Sequence, residues 1–406
     1  MTKFYIFITF LAFLLFSCQQ EAKIISEGIW RAELEVMDGK RLPFTFNLMQ
    51  EDKIYKAEIY NGEEIIKLTK VVINKDSIVF YLPVFEAYLK GTFTADKIEG
   101  VFFNKTFNRT LPFVATHGKI DRFPSKIKAA ALVSGIWETS FIPDTPDQYD
   151  AKGIFVQNND IVTGTFLTTT GDYRFLEGIV TGDSLKLSAF DGAHTYFFLA
   201  KIKDSVIEGI FYSGNHDKKK FVARRNETFE LPDEDTLTSL KDGFEKFDFS
   251  FPDKSGKLIT LADQHFQGKP VIVQIMGSWC TNSLDETRFL VDFLNQHKET
   301  YVSVVALAFE FAKTEEEAFQ GIQKLKDDVG VKYPILLAQY GGANKQKAQE
   351  KLPMLNHVYS YPTIVFIDKK RKVRKITTGF NGPATGEKYV TFKKEFKEFV
   401  TMLANE

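Results

Sequence analysis

Val271-Ile272-Val273-Gln274-Ile275-Met276-Gly277-Ser278-Trp279-Cys280-Thr281-Asn282-Ser283 decides how the C-terminal part of this chain is read. Its first six residues are an apolar run of strand length and read as a buried strand. Leu284, Phe289, Val291, Phe293 and Leu294 follow at three-and-four spacing, the pattern of a helix with one buried face. Cys280 therefore falls where a strand ends and a helix begins. Unpaired N–H groups and the positive end of the helix dipole favour thiolate over thiol there, which makes Cys280 a candidate reactive thiol. The carboxyl groups of Asp285 and Glu286 act in the opposite sense, so the net direction of its pKa is not legible at this level.

Trp279-Cys280-Thr281-Asn282-Ser283 resembles the Trp-Cys-x-x-Cys motif of the thioredoxin superfamily, with serine in place of the second cysteine. Continued through Leu284-Asp285-Glu286-Thr287, it is similar to membrane-anchored thiol-disulfide oxidoreductases of the TlpA/ResA type, and Glu286 falls where that family carries a glutamate near its thiols. The resemblance spans about 160 residues, from Phe244 to Glu406. It implies that Pro362, in Ser360-Tyr361-Pro362-Thr363, is a cis proline facing the thiol. Proline suits that bend because a cis X-Pro bond costs only about 0.5–1 kcal/mol. Tyr361, Pro362 and Thr363 would form a platform for substrate backbone, and Trp279 a wall of the site. An ordinary proline at the start of a strand is the plainer reading.

The implied chemistry is thiol-disulfide exchange through mixed disulfides at Cys280. Ser283 cannot act as a resolving group, because an alcohol is too weakly acidic to displace a thiolate. Its hydroxyl can donate a hydrogen bond to the sulfur. Cys280, Ser283 and Glu286 are thus the candidate catalytic residues, with Glu286 alternatively a first-turn acid complementing the helix dipole. Two further functions stay open. One is a non-catalytic binding or scaffold protein descended from such an oxidoreductase. The other is a one-cysteine peroxidase, disfavoured because Gly277 and Val273 stand where peroxiredoxins carry threonine and proline.

The chain begins with Thr2-Lys3, an apolar run from Phe4 to Phe16, and Ser17-Cys18, which has the order of a secretion signal. Leu15-Phe16-Ser17-Cys18 resembles a bacterial lipobox, which implies removal of residues 1–17 and lipidation of Cys18. The expected place is the bacterial cell envelope, anchored by lipid, at the outer membrane on its periplasmic face. The expected partners are exported proteins with cysteines or disulfides, and an external thiol reductant. The sequence has two cysteines, so with Cys18 acylated no internal disulfide can form. Lys/Arg and Asp/Glu nearly balance at a net charge of −1, which disfavours nucleic acid as a partner.

Residues 18–226 contain an internal repeat. Gly28-Ile29-Trp30 recurs as Gly135-Ile136-Trp137, Asp76-Ser77-Ile78 as Asp183-Ser184-Leu185, and Ile98-Glu99-Gly100-Val101-Phe102 as Ile207-Glu208-Gly209-Ile210-Phe211. Short alternating runs broken by Asp-Gly and Gly-Asp pairs point to antiparallel hairpins. The expected architecture is an α+β multidomain chain: an N-terminal all-β antiparallel duplicated meander, sandwich or barrel, then a C-terminal α/β thioredoxin-like fold. Its units are repeat 1 (18–130), repeat 2 (131–226), an acidic linker (227–246) and the thioredoxin-like domain (247–406). Both copies closing one structure, or standing side by side, remain alternatives. Lys218-Lys219-Lys220 reads as a solvated turn. His194 and His216 lie in turns beside carboxylates but lack a ligand-like spacing, so no metal site is assigned, and no cofactor is implied.

Overall fold

A computed structural model describes residues 24–298 and 301–406; the lipobox and Cys18 lie outside the described residues. The repeat resolves as two barrels side by side. In the first, eight antiparallel strands from Gly28–Glu35 to Arg109–His117 follow one another in chain order, and the first pairs with the last. The second runs from Gly135–Phe141 to Asp217–Arg225 and closes the same way, with an extra two-residue strand, Gly171–Asp172, appended to one side. Closure leaves no long unpaired edge.

The repeated tryptophans anchor both copies. Trp30 and Trp137 are fully buried, and each indole N–H donates to a carbonyl four residues back, Ser26 O at 3.1 Å and Val133 O at 2.8 Å. A second repeated feature is close backbone approach: Gly91 pairs with Gly100, where a Cβ on either would run into the other strand, and Gly209 occupies the matching place in the second barrel. Phenylalanines fill both interiors, among them Phe44, Phe80, Phe102 and Phe113 in the first and Phe141, Phe166, Phe198 and Phe211 in the second. The lysine run is part of the strand Asp217–Arg225, not its turn, and Lys218 pairs with Asp38 of the first barrel.

Residues 227–230 stay on the second barrel, and from Glu234 onward the segment is laid down on the C-terminal domain. The Glu234 carbonyl accepts from Thr378 N at 3.0 Å, the Asp235 carboxylate pairs with Thr377 and Lys375, and Thr238 bonds Thr378. Acidity gives this segment its partners on both sides: Glu227 and Glu230 hold Ile136 N and Lys152 of the second barrel, and Asp235 the cation and hydroxyl of an edge strand.

The C-terminal domain has a five-stranded sheet in the order Ile335–Gln339, Ser303–Phe309, Val271–Met276, Thr363–Ile367, Val373–Thr378, in which the first three are parallel and each of the last two runs antiparallel to the strand before it. Helices α1 (Thr281–Gln296), α2 (Glu315–Val329) and α4 (Glu387–Asn405) pack on one face. The hairpin Ser250–Pro252/Leu258–Thr260 and a short α3 (Lys345–Lys351), which has no strong sequence signal, cover the other. This is a thioredoxin-like fold. Every residue of the central strand is buried, as its apolar run requires, including the one polar residue, Gln274. Thr314 caps α2 by accepting from Glu317 N, whereas the Glu317 carboxylate reaches Lys313 N rather than the cap residue itself.

Candidate functional site

Cys280 is the N-cap of α1, at the C-terminal end of the central strand. The Tyr361–Pro362 bond is cis, and the Cys280 thiol donates to the Tyr361 carbonyl with Sγ 3.3 Å from the oxygen. Thiol and proline turn therefore face each other, and the carbonyl of the proposed ledge is engaged by the thiol. Burial pushes the Cys280 pKa up; hydrogen bonds from the Ser283 N–H and hydroxyl and the Asn282 N–H oppose this, and Glu286 adds to the rise. The helix terminus thus does not prevail, and the resting form is the thiol.

The other sequence-derived residues fall around this pair. Ser283 is buried and also accepts from Gly277 N at 3.4 Å. Glu286 is 1% exposed and lies beneath the motif, accepting from Gln274 Nε2 at 2.9 Å; burial raises its carboxyl well above the usual range. Trp279 donates from Nε1 to Phe309 O at 2.8 Å and meets the Tyr361 ring edge-on. Thr363 is buried and spends its hydroxyl on Ser360 O at 2.9 Å, which fixes the proline turn and directs the side chain inward.

Sequence reasoning passed over several neighbours. Gln274, a lone amide in an apolar strand, bonds Glu286 and Thr287 and was detectable as a polar residue out of pattern. Glu310, 3% exposed at the end of the next strand, accepts from Ser278 N at 2.9 Å and from Ser278 Oγ at 2.7 Å, and burial raises its pKa to about 7. It lines a cavity of about 310 Å³ with Phe85 and Phe103 of the first barrel, Trp279 and Phe311.

Both barrels reach the motif. From the first, the Phe107 ring packs edge-on against Trp279 and Phe311. From the second, His194 Nδ1 lies 3.1 Å from Thr281 Oγ1 and 3.2 Å from Asp191 Oδ2, and its ring stacks on Tyr196. The extra strand of the second barrel brings a turn onto the ledge: Ser360 Oγ donates to Thr170 O at 3.0 Å, Thr169 Oγ1 is 2.9 Å from Tyr359 Oη, and Gly382 N donates to Asp172 Oδ2 at 2.9 Å. Gly171 lies so close to Asn282 that a Cβ there would overlap the amide. Beside this turn, buried Arg174 joins all three units, pairing with Glu64 of the first barrel, Asp191 of its own and Asp285 on α1. Asp285 is thereby committed to an arginine. Among the described residues, no group of three or more His, Cys, Asp or Glu side chains is placed to hold a metal.

Residues 244–376 match the family model described as AhpC/TSA family. Comparison with curated proteins gives no match. Among solved structures, a thiol:disulfide interchange protein of the thioredoxin family from Chlorobium tepidum is 17% identical, covering 41% of this chain and 99% of its own, at TM-score 0.30. The thioredoxin domain of a thiol-disulfide oxidoreductase from Bacteroides vulgatus is 19% identical over 38% of this chain and 99% of its own, at TM-score 0.27. A thiol-disulfide oxidoreductase from Bacteroides fragilis is 13% identical over 37% and 99%, at TM-score 0.28.

Proposed function

We propose that the chain is a lipid-anchored protein of the bacterial envelope whose C-terminal domain carries out thiol-disulfide exchange through a mixed disulfide at Cys280. The supporting observation is the placement of Sγ at a helix N-terminus, 3.3 Å from the carbonyl that precedes a cis proline. In the forward step Cys280–SH and a disulfide R–S–S–R give Cys280–S–S–R and R–SH; the proton lost by Cys280 goes to solvent and the leaving thiolate takes one up. Ser283 lowers the cost of ionisation by hydrogen bonding and does not resolve the adduct. Release needs an external thiol, which leaves bound to R as a new disulfide. Exported proteins with cysteines or disulfides are the partners that the TlpA/ResA resemblance implies, with Cys18 as lipid attachment site.

A non-catalytic binding role is the second reading, favoured by the raised thiol pKa and by the turn lying over the ledge. Purification of the Cys18-free protein under non-reducing conditions, followed by mass analysis, separates the two. Exchange requires adducts on Cys280 that dithiothreitol removes and that Cys280→Ala lacks; equal partner recovery by parent and variant would leave the binding role. Sulfenate formation with consumption of peroxide would instead indicate a peroxidase.

A further inference from the structure

Glu310 is a buried carboxyl without a cation. Asp191 and Asp285 share Arg174, and Asp368 has Arg374, whereas Glu310 forms no salt bridge among the described residues. Glu286 shares that lack beneath the motif, where its partner is Gln274. Glu310 differs in lining a cavity, the one of about 310 Å³ between the first barrel and the C-terminal domain. That volume stands at the lower end of the range for ligand sites, about 300–1,000 Å³, and suits a small molecule rather than a peptide.

Four aromatic side chains line the cavity with Glu310: Phe85 and Phe103 from the barrel, Trp279 and Phe311 from the C-terminal domain. The Trp279 and Phe311 rings stand at 74° with centroids 4.6 Å apart, and Phe107 packs edge-on against both. The donors around Glu310 are spent, Trp279 Nε1 on Phe309 O and Ser278 N and Oγ on the two carboxyl oxygens. Ring surface and a carboxylate charge are what these groups still offer. Each oxygen already holds a hydrogen bond, so the charge serves best a cation that needs no acceptors. A primary ammonium is strongly hydrated and would leave hydrogen bonds behind on entering. An ammonium carrying methyl groups has few or none to lose, and aromatic walls hold such ions by cation–π attraction. The other charges at the cavity balance: Glu86 pairs with Lys105 at 3.1 Å, and Lys313 and Glu317 add one of each sign. Ionised Glu310 therefore leaves the site with one negative charge in excess.

We propose that this cavity binds a small methylated ammonium ion, with Glu310 as its counter-ion and Phe85, Phe103, Trp279 and Phe311 as its walls. This site is independent of exchange at Cys280. Burial raises the Glu310 pKa to about 7 with no cation to oppose it. The bound ion supplies that opposition, so the protonated carboxyl and the ammonium give a carboxylate–ammonium pair, and the proton passes to solvent. Binding is then strongest above about pH 7 and about tenfold weaker one unit below it. No histidine is among the lining residues to imitate this titration.

The test compares choline, whose charge does not titrate, with its neutral isostere 3,3-dimethylbutan-1-ol. Each is titrated by calorimetry into the Cys18-free protein, in two buffers of different ionisation heat. At about pH 8 choline should bind about tenfold more tightly than the alcohol. At about pH 6 its binding should weaken about tenfold and release most of a proton, while the alcohol shows neither effect. Glu310→Gln, which keeps a group able to bond Ser278, should abolish the proton release and the preference for charge. Phe311→Leu should weaken choline more than the alcohol. Equal affinities for the two probes in the unaltered protein overturn the proposal, as does choline binding that is absent or independent of pH. Vesicles of phosphatidylcholine carry the same ion on a lipid and should not displace choline from so small a cavity; displacement by them would overturn the reading of a free ion.

Discussion

Glu310 carries a pH-dependent stability that its environment allows to be sized. Its carboxyl is buried and its pKa rises from the ordinary 4.5 to about 7, burial outweighing two hydrogen bonds from Ser278. Because the folded-state pKa lies above the unfolded one, the folded protein holds this proton more tightly. The resulting stabilisation is complete below pH 4.5, fades as pH rises towards about 7, and is absent above it. At about 1.4 kcal/mol per pH unit the whole effect is about 3 kcal/mol. Glu310→Gln removes the titration and keeps a neutral group that can bond Ser278. The unfolding free energy of the variant minus that of the parent should therefore grow by about 3 kcal/mol between pH 4.5 and pH 7.5. Denaturant unfolding should be followed through Trp279 in a background with Trp30→Phe and Trp137→Phe, because the sequence has three tryptophans and each unit holds one. A difference that stays flat across this range would refute the assignment of a buried, proton-binding Glu310. Ionisation also strengthens both Ser278 bonds, so the turn ahead of Cys280 should exchange its Ser278 amide hydrogen more slowly, relative to neighbouring amides, above pH 7.

Three more outcomes follow from the same geometry. Since the Cys280 pKa is raised, its iodoacetamide rate should be slow at neutral pH and should reach half its plateau at a higher pH than an ordinary thiol, for which the half-point is about 8.5; Ser283→Ala, by removing a hydrogen bond that favours the thiolate, should shift the profile to still higher pH. Ser283→Cys should supply the missing resolving thiol, so that adducts which persist on the parent disappear without added reductant and a disulfide between Cys280 and the introduced thiol appears by mass. Arg174→Met should cost about 3–5 kcal/mol, because it leaves the buried Asp285 and Asp191 carboxylates without that cation, and limited proteolysis should then cut between the barrels and the C-terminal domain; unchanged denaturation would show that the three units do not depend on this joint.

The parts of this architecture visible in the sequence are those that a short window determines. Burial of both faces shows in Val271–Met276 as an apolar run interrupted only by Gln274, and the helix after Cys280 in its spacing. The duplication shows because Gly-Ile-Trp and Ile-Glu-Gly repeat at nearly one offset. Pairing partners are another matter: the choice between one closed structure and two depends on whether Trp30 meets His117 or a residue of the other copy, and periodicity is the same either way. The contacts around the thiol were illegible for a related reason. Arg174 to Asp285, Thr170 to Ser360 and Phe107 to Trp279 are each separated by over a hundred residues, and in each pair the barrel partner lies outside any motif. His194 attracted notice as a turn histidine, yet its partner, Thr281, is set by docking of one unit on another.

The two copies of the barrel share a strand plan and differ in which loops do the docking. In the first, Asn61 and Glu64 are joined by two residues, a tight turn that delivers Glu64 to Arg174. The matching connection in the second, from Thr168 to Leu176, is longer; it carries the extra strand, Arg174 and the turn on the ledge. Lengthening a surface loop by a few residues costs little closure entropy, so this connection could grow without harm to the closed barrel beneath it. In the first copy the loop that reaches the motif is a different one, Lys105–Asn108, with Phe107 at its tip. Each barrel thus remains intact as a core of aromatic side chains while its turns meet residues 279–282, one turn from the first barrel and two, around Gly171 and His194, from the second. If that division holds, deleting Thr169 and Thr170 should leave the second barrel folded, with its aromatic near-UV signal retained, and should speed labelling of Cys280 by bulky maleimides more than by iodoacetamide. Loss of the near-UV signal, or equal acceleration for both reagents, would show that the turn belongs to the barrel's stability rather than to control of access.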